Sequence, residues 1–277
     1  MSTKTIAFLG KGGSGKSILS ALTARLLIGD GRLLIGDGRH VIDAGRHVID
    51  AGRRPLLIDA DPAMGLATAL GVQGYKTIGE ARAEILRQAQ IAKGEEAARL
   101  SEIIDYLLLE ALVEAPDHAL LVMGHTDTVG CYCSVNNLLR ETLGTLAAQF
   151  GTVIIDAEAG VEQINREVTR SVTHAIILTD NSLRGARTAL LAKTKVDRSP
   201  GMNPDLTGVL FNRVEAPDPE LVCLLEDGGL RVLGTIPPDP VIAERDRRGL
   251  PALEMPAGSV ALIALREMLV KEGILSV

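Results

Sequence analysis

Residues 10–17 read GKGGSGKS, and they lie between an apolar run, Thr5–Leu9, and a helix-period stretch, Ser17–Leu27. The segment fits G-x-x-x-x-G-K-[ST], the pattern of a phosphate-binding loop between a strand and a helix. Gly10, Gly12, Gly13 and Gly15 let backbone N–H groups turn inward around phosphate oxygens, with Lys11 and Ser14 between them. The helix that opens at Ser17 brings the positive end of its dipole to the same point. The spacing predicts that Lys16 reaches the β- and γ-phosphates of a nucleotide and that the Ser17 hydroxyl ligates Mg²⁺.

A strand–loop–helix unit of this kind needs parallel neighbours, and the rest of the chain supplies them. Short apolar runs at Pro55–Asp59, Ala119–Met123, Thr152–Asp156, Ala175–Thr179, Thr207–Phe211 and Arg231–Thr235 read as strands. Helix-period stretches lie between them, at Ile78–Ala89, Ala98–Val113, Val135–Phe150, Gln163–Val172, Arg184–Thr194, Val241–Arg248 and about Ser259–Lys271. The alternation predicts an α/β fold, a doubly wound and mostly parallel sheet with helices on both faces. No Pro/Ser-rich linker divides the 277 residues, so a single domain, 1–277, is expected.

Residues 26–53 break the pattern. They read LLIGDGR LLIGDGR HVIDAGR HVIDAGR, four seven-residue units in two identical pairs. The glycines forbid a long helix, so a heptad coiled coil is excluded and short hairpin arms or a looped insertion are expected. Removing residues 33–53 leaves a plain helix–turn–strand link, TARLLIGDGRRPLLIDADP. Residues 33–53 are therefore read as a surface insertion without chemistry.

The formal net charge is −6, and no Lys/Arg cluster marks a nucleic-acid face. Trp is absent, and three Phe and three Tyr leave little to stack on bases. Three cysteines make no disulfide framework, which points to a reducing, cytoplasmic setting. The N-terminus lacks a signal-peptide shape and no run approaches a membrane span, so neither nucleic acid nor membrane is expected as a partner.

Lys11 is extra to the generic loop. GKGGSGKS resembles the deviant Walker A motif of the MinD/ParA/nitrogenase-iron-protein class of dimeric ATPases. The resemblance implies a homodimer in which Lys11 reaches the partner's phosphates, as an arginine finger does elsewhere. It implies Mg·ATP as ligand and hydrolysis of ATP to ADP and phosphate. In PLLIDADP (55–62) it gives Asp61 the task of orienting or deprotonating the attacking water, with Asp59 supporting the Mg²⁺ shell. In TVIIDAEAG (152–160) it gives Asp156 the Mg²⁺, through water, and Gly160 an N–H for the γ-phosphate. Glu158 stands where that class often has proline. Asn212 in FNRV and Pro238 and Asp239 in IPPDP would contact the adenine.

The segment GCYCSVNNLLR, residues 130–140, holds two of the three cysteines. In extended chain, residues two apart share a face with Cα atoms ~6.6 Å apart. A disulfide between Cys131 and Cys133 would close a strained ring. Two thiolates on one face make half of a four-coordinate site, tetrahedral for Zn²⁺ or planar for Ni²⁺, which a two-fold dimer would complete. Two inert free thiols remain the alternative. Cys223, in LVCLLED, reads as a core thiol.

The blocks LVMGHTDTVGCYCSVNNLLR and VIIDAEAGVEQINREV, with TDNSLRGARTA (179–189), resemble the accessory ATPases that insert nickel into carbon monoxide dehydrogenase. The likeness spans nearly the whole chain outside residues 33–53. It implies a metallochaperone whose Cys131 and Cys133 bind one metal at the dimer interface, with a client nickel enzyme as partner. GHTDTVG (124–130) departs from that family's Gly/Pro/Arg-rich approach to the cysteines and adds His125 as a possible further ligand. Two other readings stand beside it. An iron–sulfur electron-transfer ATPase like the nitrogenase iron protein would take its cluster ligands from well-separated positions. A positioning ATPase of the MinD/ParA type would need a basic membrane tail or DNA face, whereas ALREMLVKEGILSV at the C-terminus is weakly basic.

Overall fold

The computed structural model describes residues 3–29, 34–35, 39–40, 54–91, 100–124, 141–157, 171–199 and 202–275. Ten strands appear among them. They are β1 (Lys4–Leu9), β2 (Leu34–Ile35), β3 (Arg39–His40), β4 (Pro55–Asp59), β5 (Val113–Glu114), β6 (Ala119–Val122), β7 (Thr152–Asp156), β8 (His174–Thr179), β9 (Leu206–Asn212) and β10 (Arg231–Ile236). The named helices are α1 (Lys16–Ile28), α2 (Gly65–Leu70), α3 (Ile78–Ile91), α4 (Leu100–Ala111), α5 (Leu183–Arg198), α6 (Pro219–Asp227), α7 (Pro240–Arg247) and α8 (Val260–Lys271). Residues 141–147 are also helical, and Ala252–Glu254 form a 3₁₀ turn.

Eight strands form one sheet in the order β10-β9-β8-β1-β7-β4-β6-β5. Every pairing in it is parallel except β5 with β6 at the edge. Two-residue periodicity sends alternate side chains to opposite faces, and both faces are apolar. Ile6, Phe8 and Leu57 enter a core covered by α1, α2 and α8, while Ala7, Leu9, Leu56 and Ile58 enter one covered by α3, α4 and α5. This is the doubly wound architecture expected.

Parallel pairing puts all the strand C-termini at one edge of the sheet. The register is tight there: Asp59 is the direct partner of Asp156, and Phe8 pairs with Asp156 from the other side. The loop after β1, the ends of β4 and β7, and the turns after β8, β9 and β10 therefore converge.

Three elements differ from expectation. The helix read as Ala98–Val113 stops at Ala111, because Val113–Glu114 turn back to pair antiparallel with β6. Helix α2 is too short, and too close to Pro62 and Gly65, to leave a periodic signal. The turn at Ala252–Glu254 has no sequence period of its own. Within the heptad region β2 and β3 pair antiparallel, Leu34 with His40 and Ile35 with Arg39, as hairpin arms would. They form a sheet of their own, apart from the eight strands. The helix read at Gln163–Val172 lies almost wholly outside the described residues.

Candidate functional site

The loop opens at Gly10, whose φ of 150° and surroundings both exclude a side chain: a Cβ there would lie 2.9 Å from the Leu178 carbonyl oxygen of β8. It closes at Gly15, the N-cap of α1, at φ 93°. A Cβ on Gly15 would sit 2.3 Å from Asn212 Nδ2. Asn212, at the end of β9, uses that open space to donate from Nδ2 to the Ser14 carbonyl oxygen at 2.7 Å. Strand β9 thus clamps the loop. Beside it Arg213 adopts φ 60°, in the sparsely populated left-handed region.

Lys16 is almost fully buried at 4% exposure, and its Nζ donates to the Lys11 carbonyl oxygen at 3.2 Å. The same Nζ lies 3.8 Å from Asp61 Oδ2. Asp61 is steadied by the Ala63 N–H, which donates to Oδ1 at 2.9 Å. Asp59 is wholly buried and accepts from the N–H groups of Ala67 (2.9 Å) and Asp61 (3.2 Å). It therefore caps α2 from inside. Burial pushes its carboxyl up to about 6, and those backbone donors only partly offset the loss of solvent.

Asp156 is also wholly buried, yet neither carboxylate oxygen has a hydrogen-bond partner among the described residues. Burial pushes its carboxyl up to about 7; the Ser17 hydroxyl opposes this without an ordinary hydrogen bond, and the Asp59 charge adds to the rise. An orphaned buried carboxylate calls for a cation. The donor set suits Mg²⁺, which takes one or two protein oxygens and fills its remaining positions with water and phosphate. Ser17 stands at the start of α1, held close to α2: a Cβ on Gly65 would be 2.6 Å from Ser17 Oγ. No group of three or more His, Cys, Asp or Glu positioned for a metal occurs among the described residues.

A cleft of about 720 Å³ adjoins the loop. Gly15, Ile18, Asn212, Arg213, Pro238 and Asp239 are among its walls, so the three residues linked by resemblance to adenine share one cavity beside the loop. The carboxylate of Asp239 is already committed. It accepts from Val241 N at 2.8 Å to cap α7, and from Ser259 Oγ at 2.6 Å and Ala261 N at 3.2 Å at the start of α8.

Lys11 makes an ion pair with Asp180, in the turn after β8. The sequence reading did not single out Asp180. The available signal was an acid directly after a strand, followed by a serine cap in TDNSL. Ser182 donates to Asp180 Oδ1 and accepts from Gly185 N at 3.0 Å as the N-cap of α5. Burial raises the Asp180 carboxyl, but the Lys11 and Ser182 hydrogen bonds outweigh it and hold it below the usual range.

Cys131, Cys133, His125 and Gly160 lie outside the described residues. The described chain reaches Gly124 just beyond β6, at the same sheet edge as the loop. Cys223 is exposed, contrary to the expected core thiol. On α6 the buried positions are Leu221 and Leu225, four apart, and a residue midway between them points outward.

The fold is that of the MinD/ParA P-loop ATPases. MinD from Pyrococcus horikoshii, solved with Mg-ADP, superposes with a TM-score of 0.63 at 19% identity, over 98% of this chain and 96% of that one. The ATP complex of a Cyanothece McdA point variant gives 0.66 at 16% identity, over 100% and 98%. Among curated proteins, an uncharacterized ATP-binding protein of Methanocaldococcus jannaschii is 37% identical over 205 residues, 73% of this chain and 79% of the relative, and the chain belongs to the family of that protein. The carbon monoxide dehydrogenase accessory protein CooC of Rhodospirillum rubrum is 28% identical over 266 residues, 90% of this chain and 89% of CooC. No protein-family model matches the chain. Among the described residues no helix is long and apolar enough to cross a membrane.

Proposed function

We propose that the chain is a Mg·ATP-dependent ATPase that works as a homodimer and serves nickel insertion into an enzyme of the carbon monoxide dehydrogenase type. The observation that carries the ATPase reading is Asp156, a fully buried carboxylate without a hydrogen-bond donor among the described residues, beside Ser17 and a glycine loop anchored by Lys16. Mg²⁺, when bound, supplies positive charge against the phosphate oxygens, with Ser17 and Asp156 as its protein-side holders and Asp59 behind them.

The chain's own groups do the rest. Gly10, Gly12, Gly13 and Gly15 direct backbone N–H groups at the phosphates, Ser14 shapes the loop between them by donating to the Lys11 carbonyl oxygen, and Gly160 adds another N–H. Lys16 neutralises charge that grows on the β/γ-oxygens. Asp61, held by the Ala63 N–H, orients the attacking water and accepts its proton. Lys11 serves the partner's phosphates in trans. The cleft bounded by Asn212, Pro238 and Asp239 takes the adenine.

The metal-delivery part rests on the CooC relative, which aligns over 90% of this chain, and on the Cys131/Cys133 spacing. Each protomer would contribute two thiolates to one Ni²⁺ or Zn²⁺, held as cargo. The charge of −6 and the three cysteines agree with a cytoplasmic protein that needs neither DNA nor membrane.

The test is Lys16→Ala. Phosphate release from Mg·ATP should fall by at least roughly a hundredfold, the scale for removing one transition-state charge partner. Turnover near the parent value would overturn the assignment.

A further inference from the structure

Lys11 is pinned at its backbone and committed at its tip. Its carbonyl oxygen accepts from both Ser14 N (3.2 Å) and Lys16 Nζ (3.2 Å), so the loop fixes where the side chain starts. Its ammonium ends on Asp180 of the same chain. The acid is itself held in place. Oδ1 takes the Ser182 hydroxyl, Ser182 caps α5 through Gly185 N, and a Cβ on Gly185 would lie 2.2 Å from Oδ1. Glycine at 185 leaves the room that the carboxylate fills. The pair lies at the rim, with side chains 24% and 43% exposed, where an ion pair is weak and exchangeable.

Lys16 is the other lysine of the loop, and it differs on each point. It is buried, and it faces Asp61 at 3.8 Å, beyond hydrogen-bond length. Of the two, Lys11 alone is both accessible from outside the chain and held by a carboxylate built for it.

We propose that Asp180 is the resting partner of Lys11: a positioning residue that holds the lysine within its own chain and competes with the phosphates of a second copy. This rests on the homodimeric ATPase reading above. An ammonium held by a carboxylate must leave it, or share it with a repelling anion, to meet a triphosphate. Dimer formation therefore breaks one such pair per protomer, and nucleotides with fewer phosphates draw the lysine away less well. Asp180 therefore weakens the dimer in every state that needs Lys11 released, and least when a triphosphate draws the lysine away.

The experiment uses the full chain with Asp180→Asn, which keeps the shape and removes the charge. Acylation of Lys11 by an N-hydroxysuccinimide ester, read by peptide mass spectrometry on nucleotide-free monomer, should be several-fold faster in the variant than in the parent. Dimerisation with Mg²⁺ and a non-hydrolysable ATP analogue, followed by sedimentation, should tighten. A rim pair corresponds to about twofold to fivefold, and two pairs per dimer give about fourfold to twenty-fivefold in the dissociation constant. In a Lys11→Ala background Asp180→Asn should change nothing further. Circular dichroism separates the latch from helix stability: Asp180→Asn should keep the parent's helical signal and melting temperature, and a loss of either would assign a changed dimer constant to α5 and overturn the latch. Unchanged acylation would show that Asp180 does not hold Lys11. Faster acylation with an unchanged or weaker dimer, or an effect that persists without Lys11, would overturn the competition. A parent chain that forms no analogue-dependent dimer overturns the homodimeric reading, and the latch with it.

Discussion

Asp156 has been taken out of water and has no donor among the described residues, which is destabilising unless a cation arrives. Its carboxyl titrates near 7 in the folded chain against an ordinary 3.8, and that of its strand partner Asp59 near 6. Between 3.8 and those values the folded state binds more protons than the unfolded one, so nucleotide-free stability falls as the pH rises through that window. Above pH 7 both carboxylates are charged and the penalty is fully present, on the order of a few kcal/mol. The nucleotide-free protein should therefore melt at lower temperature at about pH 8 than at about pH 5.5. Asp156→Asn should flatten that dependence and raise the melting temperature on the alkaline side, while losing most Mg·ATP affinity. Saturating Mg·ATP should restore the parent there. Melting curves across pH with and without Mg·ATP decide it. An Asp156→Asn protein that is less stable than the parent on the alkaline side would show that the buried charge is already satisfied.

Most elements could be read from the sequence because parallel strands buried on both faces are continuous apolar runs, and the glycine loop fixes β1 and α1 together. The end of β7 was legible at Asp156 for the same reason: an acid that closes an apolar strand is conspicuous. Asp180 closes β8 in the same way. Its partner Lys11 lies 169 positions away, and only the strand order, with β8 beside β1, brings the two together. Asp239 was linked to the base by resemblance, and the helix at about Ser259–Lys271 was legible too, but not that its first turn packs on this carboxylate. Ser259 and Ala261 reach it from 20 and 22 residues on. Asp239→Ala should remove the cap of α7 and the acceptor that holds Ser259, itself the N-cap of α8, and Ala261, costing about 1–3 kcal/mol on the scale of a capping residue, and chemical denaturation should register the loss. A loss of adenine-nucleotide affinity with unchanged stability would instead assign Asp239 to the ligand. Hairpin arms β2 and β3 are the opposite case, strands that pair only with each other among the described residues. Deleting residues 33–53 should keep the melting temperature within a few degrees and preserve ATP hydrolysis, because loop length affects stability only logarithmically. An insoluble product, or one without ATPase activity, would give the heptads a structural role.

At the scale of the whole molecule, the sheet gathers the proposed nucleotide-binding groups among the described residues at one edge, and the chain leaves β6 toward Gly124 at that edge. The proposed homodimer has a two-fold axis to which each copy would bring Cys131 and Cys133. The two-fold symmetry then turns a pair of thiolates, too few for a tight site, into four. Metal content should be one Ni²⁺ or Zn²⁺ per dimer in anaerobic protein. Cys223 is exposed and would bind metal adventitiously, so Cys223→Ser is the proper background for the measurement. In that background Cys131→Ser and Cys133→Ser should each abolish tight binding, since either change removes two of four ligands from a shared site. ATP binding should persist in both, because neither cysteine belongs to the glycine loop at residues 10–17. Affinity should also fall as the pH is lowered, since each thiol must lose its proton to ligate. Equilibrium dialysis with metal analysis of the sedimenting dimer reads all of this. One metal per chain, or an unchanged affinity in the serine variants, would mean that the two cysteines are not half of a shared site and that their spacing carries no function.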